Sequence, residues 1–151
     1  MLRSFLSALA AISLLWAVVV AAGCSGAPKS TEDENTTDLR EIAKAYSVTI
    51  SAHRRPPKSL DEIKSVLADL HEANLVGKPE DVLKSSRDGQ PYVIILGADL
   101  GATRSGEVLA YEKKGAGGKR YVLSMDFNVG QISDADFAKA TFAMGHLPAK
   151  D

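Results

Sequence analysis

Between Phe5 and Gly23 the chain is almost wholly apolar, and this run decides how every later residue can be read. Arg3 supplies a short basic start. Leu14, Leu15, Trp16, Val18, Val19 and Val20 form the apolar centre, and Ala21, Ala22 and Gly23 close it on small residues. A basic start, an apolar run and a small-residue exit make a secretory signal peptide over residues 1–23. An uncleaved membrane-spanning helix is the competing reading, because about 18 apolar residues can cross a bilayer. The leader also distorts the composition. The whole chain is 45% hydrophobic, but without the leader the figure is 50 residues of 128, a modest core for a small domain.

Cys24 follows the small residues and is the one cysteine of the chain. A single cysteine excludes an intrachain disulfide framework and a multi-cysteine zinc site. Ala21-Ala22-Gly23-Cys24 resembles the lipobox of bacterial lipoproteins. That resemblance implies a diacylglycerol on the Cys24 thiol and cleavage between Gly23 and Cys24, which makes Cys24 the mature N-terminus. Ala21 stands where the family prefers Leu, with Val20 one place earlier. Only the lipoprotein reading explains a lone cysteine at this position. Acyl chains would hold the protein on a membrane of the cell envelope, facing the periplasm or the exterior, and two chains anchor stably where one does not. Ser25 offers no acidic retention signal of the kind some proteobacteria use, so the choice between inner and outer membrane stays open.

Ser25 to Thr37 contains no large apolar residue. Such a segment cannot bury enough surface to offset its ordering entropy, so residues 24–37 read as a lipidated cysteine and a disordered tether. A flexible coil of 13 residues reaches roughly 20 Å. The globular domain is expected over 38–147, with 148–151 as a tail, and this length fits one domain. From Asp38 onward there are 16 basic and 16 acidic residues, and the whole chain carries a formal charge of −1. That balance argues against nucleic acid as a partner, since phosphate binding needs a strong positive field.

Leu39, Ile42, Ala43, Tyr46 and Ile50 recur at helical spacing, with Asp38 and Glu41 placed as an N-terminal cap. Pro56 and Pro57 end that helix, which should fade near Ala52. Ser59-Leu60-Asp61-Glu62 is a better capping box, opening a second helix with Leu60, Ile63, Val66, Leu67 and Leu70 as its apolar stripe. Gly77-Lys78-Pro79 stops it, and a short helical piece is expected over Pro79 to Lys84. The period then changes. Tyr92 to Leu96, Val108 to Glu112 and Arg120 to Met125 read as strands, and a fourth is expected from Asn128 to Ile132. Gly115, Gly117 and Gly118 permit a tight antiparallel return between the second and third. Ser133 caps a last helix carrying Phe137 and Phe142 and ending near Gly145. Six of the seven aromatics beyond the leader lie between Tyr92 and Phe142, so the sheet and last helix are expected to supply most of the core. Helices first and an antiparallel meander second predict an α+β fold, N-terminal helices packed on a small sheet of three to four strands.

Asp88-Gly89-Gln90-Pro91-Tyr92, followed by a strand, a Gly-bearing loop, a Tyr-containing strand and a Gly-rich turn, resembles the C-terminal half of type II secretion major pseudopilins. It is also similar to pilin-related envelope proteins of planctomycete type, in which an Asp-Gly-x-Val segment precedes an acidic helix start. Met125-Asp126-Phe127-Asn128-Val129, followed by Ser133 to Phe137, sits where that segment would. The resemblance covers about 90 residues and implies a helix packed on a small antiparallel sheet. Three departures limit it. There is no acidic residue before Glu32, where pseudopilins carry a Glu just inside the apolar helix. Phe127 replaces the Gly of the Asp-Gly segment, which speaks against a tight turn there. Lys119, Arg120, Tyr121 and Val122 occupy the stretch where pseudopilins hold Ca²⁺, so calcium binding does not carry over.

No catalytic, cofactor or metal motif emerges from the remaining residues. His53, His71 and His146 form no His-x-x-x-His pair. His71 reads as solvated, and His146 suits a helix C-terminus, where a cation meets the negative end of the dipole. Ser85 to Gly89 reads as a turn set ahead of a strand, because no nucleophile elbow or partnered His accompanies it. Gly115 to Lys119 lacks the Gly-Lys-Ser/Thr ending of a phosphate loop. The densest basic run, His53, Arg54, Arg55 and Lys58, is the candidate interaction site, facing anionic headgroups or an acidic partner. Its plainer reading is a solvated loop stiffened by Pro56-Pro57. The expected role is therefore a non-enzymatic, lipid-anchored structural or protein-interaction module with an envelope protein as partner. A small-molecule or peptide-binding lipoprotein, with its site between the helices and the sheet, is the alternative. An enzyme using Asp88, Asp126 or His53 is a weaker third.

Overall fold

The computed structural model describes residues 31–100 and 105–149; the predicted leader, the Gly23–Cys24 junction and Ser25 to Ser30 lie outside them. The elements run α1 (Thr31–His53), α2 (Leu60–Glu72), α3 (Pro79–Val82), β1 (Val93–Ile94), β2 (Val108–Tyr111), β3 (Lys119–Ser124), β4 (Val129–Ser133) and α4 (Asp134–Phe137), then a 3-10 turn at Ala143–Gly145. The strands form one sheet in the order β1-β2-β3-β4, each antiparallel to its neighbour in sequence. Helix α1 lies against α2 on one side and against β3 and β4 on the other. The fold is α+β, as the change of period predicts.

Helix α1 begins seven residues before the expected cap, so Thr31 to Thr37 is helix rather than tether. The reason is tertiary. Asn35 is fully buried, and its Oδ1 accepts the Ser86 amide at 3.2 Å and the Tyr92 hydroxyl at 2.7 Å. Asp38, expected to cap the helix, stands inside it and is itself buried. Leu39, Ile42 and Tyr46 present one helix face and are wholly buried. The sheet and the C-terminal segment supply most of the buried apolar residues, as the aromatic count predicts, and Leu39, Ile42, Ala43, Ala45 and Tyr46 of α1 close the core from one side. The Tyr46 hydroxyl lies 3.2 Å from the Ile95 carbonyl and 3.1 Å from that of Ala98, and it accepts the Ala98 amide at 3.0 Å. Burial pushes its pKa up to about 12.

Local signals fare better in α2. The Ser59 hydroxyl accepts the Glu62 amide at 3.3 Å, the N-cap half of a capping box, while the Glu62 carboxylate reaches back to the Lys58 amide at 3.3 Å, and Ile63 and Leu67 are buried. Leu60, counted in the apolar stripe, is instead exposed at the first helical position. The C-terminus departs further. Helix α4 stops at Phe137, and Phe142 lies beyond it. The Val108 amide donates to the Thr141 carbonyl at 2.9 Å, and Phe142 bridges Val108 in parallel, so sheet pairing unwinds the chain here.

Two turns set the ends of the sheet. Between β2 and β3, Ala116 and Lys119 exchange backbone bonds of 3.0 and 3.3 Å, with Gly117 at φ 63° and Gly118 at φ 72°. Two central residues at positive φ make the type I′ hairpin turn that matches strand twist. Gly115, at φ 71°, has a second constraint: a Cβ there would stand 2.4 Å from the Lys119 carbonyl oxygen. Gly115→Ala should therefore lower stability by roughly 2 kcal/mol or more. A urea midpoint within error of the parent would refute this. Between β3 and β4 a tight turn forms despite Phe127, which adopts φ 63°. Ser124 and Asn128 pair at 2.9 Å across it, and Asp126 receives the Ser124 hydroxyl and, at 2.7 Å, the Asn128 side-chain amide. These bonds to the ionised form, the Ser124 hydroxyl first, hold the Asp126 carboxyl below its usual range. They offset a left-handed Phe that costs of order 1 kcal/mol or more.

Candidate functional site

The densest polar chemistry of the described residues converges on Glu112, the residue after β2, which is fully buried. A buried carboxylate is tolerable only when every lone pair finds a donor. Ser85 Oγ donates to Oε1 at 2.8 Å, Arg87 Nη1 to Oε2 at 3.2 Å and the Tyr121 amide to Oε2 at 2.7 Å. The Arg87 guanidinium spends a second arm on the Ala116 carbonyl at 2.7 Å and lies 5.0 Å over the Tyr121 ring. Asp88 closes the arrangement: its Oδ2 accepts the Lys114 and Gly115 amides at 2.9 and 3.0 Å, and its Oδ1 accepts the Gln90 amide at 2.9 Å. The segment expected to be a plain turn, Ser85 to Gly89, is thus a clasp on the β2–β3 hairpin. Burial, then the carboxylates of Asp38 and Glu112, drive the Tyr92 phenol upward, so it stays a neutral donor to Asn35.

The predicted basic site falls at the opposite end of α1. His53 is its last residue, and Arg54 takes φ 55° just beyond it, so the Arg54 cation sits where the helix dipole is negative. Arg55 is engaged. Its two terminal nitrogens reach Glu62 at 3.0 and 3.2 Å, and Nη1 also reaches the Pro56 carbonyl at 3.0 Å. That fork holds the half-buried Glu62 carboxyl below its usual range. His53, Arg54 and Lys58 remain exposed, so the run offers three open basic side chains rather than four.

Asp38 faces different company. Burial first, then the charges of Glu34, Glu41 and Asp81, raise its pKa to about 7. A shallow groove of about 370 Å³ runs along the next turns of α1, between Arg40, Lys44 and Val48 on the helix and Phe127 from the β3–β4 turn. The histidines stand apart. His71 is half-buried, not solvated, with Nδ1 3.2 Å from the Val76 carbonyl. His146 stands at the C-cap of the 3-10 turn, as the sequence predicts, and its Nε2 pairs with the Tyr111 hydroxyl at 3.0 Å, against the Tyr111 and Phe142 rings. Asp126, Asp88 and His53, named as enzyme candidates, lie on three separate features and do not converge. Among the described residues no three His, Cys, Asp or Glu side chains gather as a metal would require, and no helix is long and apolar enough to cross a membrane.

Sequence reasoning missed Asn35 and Glu112. One readable sign existed: Glu112 ends a run of four buried apolar residues, where a charge needs a partner. The chain matches no family model, no curated protein and no solved structure.

Proposed function

We propose that this chain is a lipid-anchored protein of the bacterial envelope, held through Cys24, whose α+β domain is a non-enzymatic module for structural or protein contacts. One observation carries the reading: the densest cluster of polar side chains among the described residues is engaged in bracing the domain's own turns. Ser85, Arg87 and Glu112 bond to one another, and Asp88 bonds to backbone amides. A surface stiffened in this way suits recognition by shape and charge. The pilin-like reading is compatible with a long helix laid along an antiparallel meander, and it is offered on the same footing. The second reading, a small-molecule or peptide binder, is favoured by the groove between α1 and a left-handed Phe127.

The anchor is tested directly. The full chain, expressed in a bacterium that lipidates envelope proteins, should gain the mass of acyl groups and fractionate with membranes. Cys24→Ala should lose that mass and shift most of the protein to the soluble fraction. An unchanged mature mass with full membrane retention in Cys24→Ala would sink the lipoprotein reading. Crosslinking in intact membranes then tests the module: no reproducible partner would count against it.

A further inference from the structure

We infer that the tip of the β2–β3 hairpin is a docking surface for anionic lipid headgroups, placed beside the anchor. The inference rests on the lipid-anchor reading and names the second contact that the anchored domain makes.

The tip reads Lys113-Lys114-Gly115-Ala116-Gly117-Gly118-Lys119, and all three lysines are exposed. Its position follows from a chain of bonds. Asn35, near the start of α1, accepts the Ser86 amide; the next two residues, Arg87 and Asp88, hold Ala116, Lys114 and Gly115. The tip and the first turns of α1 therefore share one end of the domain. Six residues, Ser25 to Ser30, separate Cys24 from Thr31, a reach of at most about 25 Å even when fully extended. A lipid on Cys24 thus keeps this end near the bilayer. His53, the end of the other basic run, is 18 residues along α1 from Asn35, roughly 27 Å away.

The tip is also fixed in shape. The type I′ turn, the Asp88 clasp and the Arg87 bond to Ala116 pre-set its backbone, so little ordering entropy is lost on contact. Glu112 is buried against Arg87, Asp88 is drawn inward onto amides, and Asp134, whose amide bonds Gly118 of the tip, is paired with Arg120, so the three lysine ammonium groups are the charges projecting from the tip. Among the side chains described in the first turn of α1, Glu34 is an exposed acid facing this end. Juxtamembrane lysines are drawn to an anionic leaflet within a Debye length, and three give a cooperative patch with the acyl chains.

The test uses the full lipidated chain in vesicles of phosphatidylcholine alone or with added phosphatidylglycerol. Amine-reactive labelling read by mass spectrometry should show Lys113, Lys114 and Lys119 protected several-fold only when phosphatidylglycerol is present, and high salt should remove the protection. Lys58 should label equally on both. Equal labelling of the tip on both vesicles, or protection centred on Lys58, overturns the inference and leaves the tip to an acidic protein. If the purified chain carries no acyl mass, the anchor reading fails by itself. Binding of that unlipidated chain to phosphatidylglycerol vesicles then decides the tip: K113Q/K114Q/K119Q should weaken it by about 100-fold, and an unchanged affinity overturns the inference.

Discussion

Glu112→Ala should lower the stability of the domain by about 3–5 kcal/mol, the usual effect of breaking a buried ion pair from one side. Removing the carboxylate strands three donors at once: Ser85 Oγ, Arg87 Nη1 and the Tyr121 amide. The Arg87 side chain is only 11% exposed, so its charge cannot recover full hydration in place. A melting temperature lower by roughly 10–25 °C follows from the enthalpy scale of a domain this size. Glu112→Gln keeps the shape but turns one acceptor into a donor facing other donors, so it should fall between parent and Ala. A double-mutant cycle with Arg87→Met separates the pair from the stranded charge. The double variant should lose clearly less than the two single losses added together. A loss below 1 kcal/mol for Glu112→Ala would show that the network is dispensable.

Asp38 gives the second large effect, of opposite sign. Its pKa is about 7 in the folded chain against an ordinary 3.8. Between those values the native state holds a proton that the unfolded chain has released. Stability from this group is therefore fully present below pH 3.8, falls as pH rises, and is lost above about pH 7. At 1.36 kcal/mol per pKa unit the whole fall is of order 4 kcal/mol. Asn cannot ionise, so Asp38→Asn should stabilise the domain at pH 8 by roughly 2–4 kcal/mol and match the parent near pH 4. The difference between the two urea midpoints, followed across that range, cancels the other carboxylates. A constant difference at every pH would refute the assignment.

Which features could be read in advance depends on how far apart their partners lie. The Ser59 cap joins residues three apart, and the Gly117-Gly118 turn closes within four, so both are written locally. The start of α1 is not. Thr31 to Thr37 is polar and resembles a tether by every local measure, and Asn35 is ordered by partners 51 and 57 residues away. Glu112 likewise meets Ser85 and Arg87 across 27 and 25 residues, a pairing that the helix or strand period cannot encode. The candidate basic run was visible as charge. That Arg55 is spent on Glu62, and that a second basic cluster stands at the end of the domain where α1 begins, required the fold.

The strand order has a consequence for the chain as it is made. Each strand pairs only with its neighbour in sequence, so the sheet can zip up through short loops as synthesis proceeds. Helix α1 emerges first, yet the strands it packs against, β3 and β4, come last. Leu39, Ile42 and Tyr46 must therefore stay uncovered on their sheet side until residue 133 has left the ribosome. The first helix cannot lock into its native seat before the whole domain is available, so its apolar face depends on α2 and on late arrival of the sheet rather than on early docking.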